Sequence, residues 1–441
     1  MSAGAQLDMT KRRVLVFPAG TEIGLEIFHA LKHCKEVDLF GAGQDISNHA
    51  RFVFAEYHIL PSIYEPGWVD ALRGLCQSLC IDYIFPAYDD VIVALSREAS
   101  RIPAKIISSP SSTCEITRSK SDTYRALSGT IRVPRMFASS KTVGIYPVLV
   151  KPDRGQGSFG IIKADNEEEL IKAIQAIRDP IICEYLPGEE YTVDCFSDRE
   201  KGLLFAGARR RRRIRNGISV NTLTETLPEA KEMAGLIGRK LGLRGAWFFQ
   251  LKRSQDGQLT LLEVAPRIAG AMAVHRVSGI NFPLLSIFED ERLPLTVRPI
   301  DGAIELDRAL GNRYRHSINF STLYIDLDDT LLVNGRVNLL AMKLLFQCIN
   351  NGKKIVLLSR HLSDLDQTLA SHRLSGLFDE IIHLREGEKK SSNIKPSDAI
   401  FVDDSFAERM DVSEHCNIPT FDCSMIELLT EQAESLNGGG E

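Results

Sequence analysis

An apolar run, Tyr146 to Val150, leads straight into Lys151 and the stretch Pro152-Asp153-Arg154-Gly155-Gln156-Gly157-Ser158-Phe159-Gly160. Three glycines so close together let consecutive N–H groups turn toward an anion, in conformations that a Cβ would block. A lysine at a strand end adds a point charge suited to phosphate. No Gly-Lys-Ser/Thr ends the loop, so it is not a Walker A motif. The expectation is a phosphate-binding loop, with nucleotide, metal and substrate ligands to be supplied by the rest of the chain.

A chain of 441 residues implies two to four domains with ample core. Its 44% hydrophobic and 25% charged residues are those of an ordinary globular protein, and a net charge of −5 gives no reason to expect a nucleic-acid surface. The nine cysteines are scattered, with no Cys-x-x-Cys pair. Cys76 and Cys80 are expected to pack on one amphipathic helix rather than bind zinc. No apolar run approaches the ~20 residues that span a bilayer, and Lys11-Arg12-Arg13 runs into a short strand rather than a signal-peptide core. These features predict a reducing, cytoplasmic setting without a membrane partner.

The first unit spans residues 1–118. Val14–Phe17, Val37–Phe40, Ile81–Pro86 and Lys105–Ile107 read as strands, with a helix from Leu25 to Lys32 after the turn at Gly20–Gly24. Alternating strands and helices indicate a parallel α/β sheet. Gly20 and Gly24 do not form G-x-G-x-x-G, which argues against a dinucleotide site. Ligands of such sheets lie at the carboxyl ends of strands, so Asp89 and Asp90 either line a substrate pocket or cap the next helix.

The second unit spans residues 119–310. Ser119-Lys120-Ser121-Asp122 opens a helix, with Lys120 placed to face a phosphate. After the glycine loop, Ile181–Glu184 forms a strand, Pro187-Gly188 turns, and Glu190–Asp194 alternates as another strand. Backbone past a strand end can meet an adenine edge, and Glu190 could take ribose hydroxyls. Gly245–Leu251 and Leu259–Val264 read as a hairpin turning at Asp256-Gly257. Gln250 and Glu263 lie on its two strands, where both could point at one Mg²⁺, and Pro266-Arg267 follows.

Residues 10–310 resemble an ATP-grasp enzyme of the branch that includes the carbamoyl-phosphate synthetase large subunit. The resemblance rests on Lys120, the Lys151–Gly160 loop, Glu184-Tyr185-Leu186-Pro187-Gly188-Glu189-Glu190-Tyr191, Gln250, Leu262-Glu263-Val264-Ala265-Pro266-Arg267 and Ser278-Gly279-Ile280-Asn281-Phe282-Pro283. It implies that Lys120 and Lys151 hold ATP phosphates under a lid that includes Gly155, Gly157, Ser158 and Gly160. Glu184, Tyr185 and Leu186 would meet adenine, Glu190 the ribose, Gln250 and Glu263 Mg²⁺ (or Mn²⁺), and Arg267 the γ-phosphate or acyl group. The family usually has asparagine where Ala265 stands, so Glu263 would serve both metals alone, or one metal would bind weakly. The arginine run Arg209–Arg213 with Arg215 either clamps a carboxylate or acyl phosphate, through Arg211 or Arg213, or forms a basic surface patch.

A third unit occupies residues 318–441. Strands Ser321–Ile325, Lys353–Leu358 and Ala399–Val402 end respectively in Asp326-Leu327-Asp328-Asp329, Ser359-Arg360 and Asp403-Asp404-Ser405. Acidic pairs at strand ends suit a metal cradle, and two aspartates two positions apart suit a nucleophile and an acid/base. This unit resembles the haloacid dehalogenase superfamily of phosphatases. The resemblance makes Asp326 the nucleophile and Asp328 the acid/base. It places Ser359 and Lys390, with Lys389 as rival, on the phosphoryl group, and Asp326, Asp328, Asp403 and Asp404 at Mg²⁺. About 28 residues separate Thr330 from Ser359 and about 30 separate Ser359 from Lys390, too few for a full cap domain. Pro294–Tyr314 is the expected junction and Glu434–Glu441 an expected disordered tail.

The fold expected is a multidomain α/β chain: a Rossmann-like pre-ATP-grasp domain, an ATP-grasp α+β domain and a Rossmannoid phosphatase domain without a large cap. The function expected is an ATP- and Mg²⁺-dependent carboxylate–amine (or other nucleophile) ligase joined to a phosphatase acting on a phosphorylated metabolite, in a protein compatible with a homodimer. The alternatives are a kinase joined to a phosphatase, or an ATP-sensing module that regulates the phosphatase.

Overall fold

The structure is a computed structural model and describes residues 11–430, apart from 156, 158, 313, 315, 396 and 397. The expected C-terminal tail and the lid residue Ser158 lie outside the described residues. The chain divides into two compact units, Met1–Leu310 and Gly311–Glu441.

Among its described residues, the first unit contains three sheets. One is parallel, with strands in the spatial order Tyr57–Ile59, Val37–Gly43, Arg12–Phe17, Tyr83–Pro86 and Lys105–Ile106. Its first helix starts at Glu22, three residues earlier than expected, because Thr21 caps it by accepting from the Gly24 N–H at 3.0 Å. Gly24 belongs inside the first turn: a Cβ there would stand 2.3 Å from the Ala19 carbonyl oxygen. Cys80 lies past the end of helix Trp68–Ser78 and does not share it with Cys76, and all nine cysteines are unpaired thiols.

A small antiparallel sheet follows, ordered Met136–Phe137, Pro180–Glu184, Val148–Pro152, Ile162–Ala164. The third, large sheet is antiparallel, in the order Leu259–Ala265, Gly245–Arg253, Glu190–Asp198, Gly202–Arg215, Ile218–Glu225, Glu305–Asp307. The arginine run therefore belongs to a single 14-residue strand. Phe196, Phe248, Ile280 and Phe282 pack in one buried cluster with Val14, Val16 and Phe85, which joins the large sheet to the first one. This shared core makes one unit of the two domains read from the sequence.

The second unit is built on a parallel sheet in the order Glu380–His383, Lys354–Ser359, Thr322–Ile325, Ala399–Val402, Thr420–Phe421. Its own core includes Leu323, Ile325, Leu344, Leu357 and Val402, all fully buried.

Candidate active sites

Between the small and large sheets of the first unit lies a cleft of about 370 Å³, lined by Lys120, Lys151, Gly155, Gly157, Glu184, Tyr185, Leu186, Glu190, Arg211, Gln250 and Glu263. Lys151, next to last in its strand, is almost fully buried, and burial pushes its ammonium pKa down. Its Nζ donates to the Tyr124 hydroxyl at 2.7 Å, and that hydroxyl donates to the Leu262 carbonyl at 2.6 Å, one residue before Glu263. Lys120 lies in the first turn of helix Lys120–Leu127, capped by Ser119. Burial also lowers its pKa, and its Nζ donates to the Gly155 carbonyl at 3.1 Å. Asp153 ties the glycine loop to that helix, accepting from Ser119 Oγ and from the Ser121 N–H, each at 2.7 Å. Gly160 sits in the same loop at φ +72°.

The Glu184 Oε1 is buried without a hydrogen-bond partner, an unsatisfied acceptor on a residue that lines the cleft. Glu190 is paired with Arg211. Arg211 also donates to Gln250 Oε1 at 2.7 Å, so Gln250 must release that bond to serve a metal. Burial pulls the Arg211 pKa down, opposed by Glu190. Gln250 and Glu263 stand opposite each other in the hairpin, as their spacing suggested. Ala265 is buried on the same strand and offers no ligand atom.

A neighbouring cavity of about 260 Å³ shares Gly157, Arg211, Gln250 and Glu263 with the cleft and adds Glu22, Asp89, Arg267 and Arg308. Arg267 and Asp89 hold each other, with Nε–Oδ1 at 2.5 Å and Nη2–Oδ2 at 3.0 Å. Burial works to raise the Asp89 pKa, yet Arg267 and more distant cations hold it below the usual carboxylate range. Asp89 lies in the first turn of helix Asp89–Arg97 but is not its cap, which is Tyr88.

Arg213, expected as a clamp alternative to Arg211, does not reach either cavity. The strand pairing shifts register between Arg211 and Arg213 and again before Ile214, and Arg213 pairs with Asp307 at 2.8 Å on the exposed side. Its neighbours are taken too: Arg209 by buried Asp194, Arg210 by Glu189 and Arg212 by Glu305. The run is a ladder of ion pairs rather than a bare basic patch. Sequence reasoning missed Tyr124, Glu22 and Arg308, which no local motif marks.

In the second unit, Asp326 follows directly on the central strand. Lys390 Nζ bridges Asp326 Oδ1 and Asp403 Oδ2, at 2.6 Å each. Carboxylate oxygens of Asp326, Asp403 and Asp404 lie within 4.8 Å of one another, the one such acidic cluster among the described residues. Burial, with Asp403 adding and Lys390 opposing, pushes the Asp326 carboxyl up to about 7. The Ser359 hydroxyl is buried without a partner. Asp328 stands outside the cluster, half-exposed, and its two oxygens each lie 3.0 Å from His361 Nδ1. Lys389 turns away to Asp411 at 2.9 Å, which leaves the position to Lys390. No helix among the described residues is long and apolar enough to cross a membrane.

A family model described as ATP-grasp in the biosynthetic pathway with Ter operon matches residues 176–298, wholly within the first unit. The arginine-specific large chain of carbamoyl phosphate synthase from Bacillus subtilis (strain 168) is 24% identical over 301 residues, covering 62% of this chain and 28% of that protein. A D-alanine–D-alanine ligase of Fusobacterium nucleatum is 32% identical over 90 residues, 20% of this chain and 31% of its own length. The matches thus span less than a third of either relative. Among solved structures, the biotin carboxylase domain of Hydrogenobacter thermophilus 2-oxoglutarate carboxylase, in complex with MgADP, ADP and bicarbonate, aligns at TM-score 0.58 and 17% identity, over 67% of this chain and 74% of that one. The L-amino acid ligase of Bacillus licheniformis aligns at TM-score 0.54 and 19% identity, over 71% and 82%. These structural likenesses establish the fold. Enzymes of the ATP-grasp fold use ATP and Mg²⁺.

Proposed function

We propose, from the ATP-grasp domain this chain carries, that it is an ATP- and Mg²⁺-dependent carboxylate–amine ligase joined to an Mg²⁺-dependent phosphatase. The observation that carries the ligase is the convergence of Lys120, Lys151, Glu184 and Glu263 on one cleft. Two buried lysines there give phosphate oxygens their counter-charge, and the unpartnered Glu184 oxygen gives an exocyclic amine its acceptor. Mg²⁺ would be held by Glu263, with Gln250 once it leaves Arg211, and would neutralise charge on the phosphates. A substrate carboxylate oxygen attacks the γ-phosphorus and ADP leaves. The amine nitrogen then attacks the acyl carbon, and phosphate leaves, taking up the proton that the nitrogen gives up. Arg267, fixed by Asp89, stands beside Glu263 in the adjoining cavity, suited to the charge that builds on the acyl phosphate. Release of ADP and phosphate, measured over pairs of acids and amines, tests this reading. Substrate-dependent ADP that disappears in Glu263→Ala is expected, and no such ADP with any pair would overturn it.

The phosphatase reading rests on the Asp326–Lys390–Asp403 arrangement. An Asp326 oxygen attacks the phosphorus to form an aspartyl phosphate, and Asp328 gives the departing oxygen its proton. Asp328 then takes a proton from the water that releases phosphate. Lys390 and the Ser359 hydroxyl would hold phosphoryl oxygens, and Asp326, Asp403 and Asp404 would hold Mg²⁺. A second reading, an ATP-sensing module that controls the phosphatase, draws on Ala265 and on the engagement of Gln250 by Arg211. It predicts no ATP turnover to lose in Glu263→Ala, only a changed phosphatase response to ATP.

A further inference from the structure

A third cavity of the first unit, about 340 Å³, opens at the carboxyl ends of the parallel strands Arg12–Phe17, Val37–Gly43 and Tyr83–Pro86. The central strand Arg12–Phe17 has the second strand on one side and the fourth on the other, so the cavity lies where the strand order reverses, the place where open parallel sheets take ligands. Its walls are apolar and aromatic. Ile46, Tyr64 and Tyr88 line it while 58%, 76% and 37% exposed, an unusual concentration of uncovered large side chains around one concavity. Several polar tips at its rim are already engaged. The Asn48 amide donates to the Ile46 carbonyl and the Tyr57 hydroxyl and accepts from the Ala50 N–H. Tyr64 donates to Asp90 at 2.9 Å, and Thr21 to the Ala87 carbonyl at 3.0 Å. What remains for a ligand is mainly ring face and aliphatic surface, beside Gln44 and Tyr88, at a volume suited to a small molecule.

This cavity adjoins the one that holds Arg267 and Glu263, with Thr21 and Tyr88 lining both. We infer that the acid taken by this enzyme carries an uncharged aromatic or bulky apolar tail, seated among Ile46, Tyr64 and Tyr88 while its carboxylate reaches past Thr21 to Glu263 and Arg267. The inference rests on the ligase reading for the identity of the carboxylate, and on the first sheet alone for the tail.

Calorimetric titration of the full chain tests both, with Mg²⁺ and the non-hydrolysable ATP analogue AMP-PNP, then with phenylbutyrate against butyrate as probes. Phenylbutyrate is expected to bind at least about tenfold more tightly than butyrate, the gain from burying a ring. Ile46→Asp and Tyr64→Ala, both at exposed positions that folding tolerates, are expected to remove that preference and leave AMP-PNP binding as it was. Equal binding of the two acids, or a ring preference untouched by both substitutions, overturns the inference. If AMP-PNP binds in that case, the ligase reading stands. If AMP-PNP does not bind, the ligase reading falls, and a ring preference sensitive to Ile46→Asp keeps the cavity as a ligand site of the first sheet.

Discussion

At the residue scale, Asp326 ties stability, pH and metal together. Its folded pKa of about 7 lies far above the 3.8 of an unfolded aspartate, because burial disfavours the charge more than Lys390 restores it. The folded state therefore keeps a proton that the unfolded state gives up. The stability this residue contributes is fully present below about pH 4 and is lost as pH rises through about 7. Under the phosphatase proposal, Mg²⁺ would compete with that proton for the ionised carboxylates. The rise in Tm on adding Mg²⁺ is thus expected to be small at about pH 5.5, to grow through neutrality, and to be large at about pH 8. Thermal unfolding with and without Mg²⁺ checks this. A rise of equal size at both pH values, or one that survives Asp326→Asn, would count against the cluster as the metal site.

At the scale of elements, the turn Asn216-Gly217 closing the long arginine strand bears directly on the glycine loop. A Cβ on Gly217, at φ +73°, would stand 2.1 Å from the Gly157 carbonyl carbon. Gly217→Ala must therefore push the loop out of place, while Gly257→Ala, at φ +79° with nothing within 4 Å, carries only the backbone strain. Nucleotide affinity is expected to fall by about tenfold in the first and to change little in the second, read by titration with AMP-PNP. Gly217→Ala should also lose more Tm than Gly257→Ala, because it adds a backbone clash to the same strain. The same comparison shows which features the sequence could carry. Lys151, the Gln250–Glu263 hairpin and the Asp326-Leu327-Asp328 strand end are local arrangements, readable because a strand and the turn after it fix them. Arg213 was misplaced because the strand that claims it, Glu305–Asp307, arrives from some 90 residues away. Glu22 and Arg308 were invisible for the same reason: they come together in space beside Gly270, where a Cβ would come within 2.7 Å of Glu22 and 3.3 Å of Arg308. The misread helix start before Gly24 is of another kind, a turn glycine taken as a helix breaker when it is the residue that lets the helix begin.

On the scale of the whole molecule, each unit encloses its own buried core, and the second has strands, acidic cluster and lysine within Gly311–Glu441. Expressed alone, that fragment is expected to fold cooperatively and to hydrolyse p-nitrophenyl phosphate with Mg²⁺, with activity abolished by Asp326→Asn. A fragment that folds, by far-UV circular dichroism and a sharp thermal transition, but hydrolyses nothing would remove the phosphatase from the proposal. In the first unit, the relay from Lys151 through the Tyr124 hydroxyl to the Leu262 carbonyl has a mechanical meaning. Each of its buried bonds costs about 1–3 kcal/mol to leave unmade, so it pins the small sheet to the strand that bears Glu263. A jaw pinned at the back opens only at its lip. Under the ligase proposal, nucleotide would come and go on the side of Gly155, Gly157 and Gly160, while Lys151 and the strand bearing Glu263 stay joined.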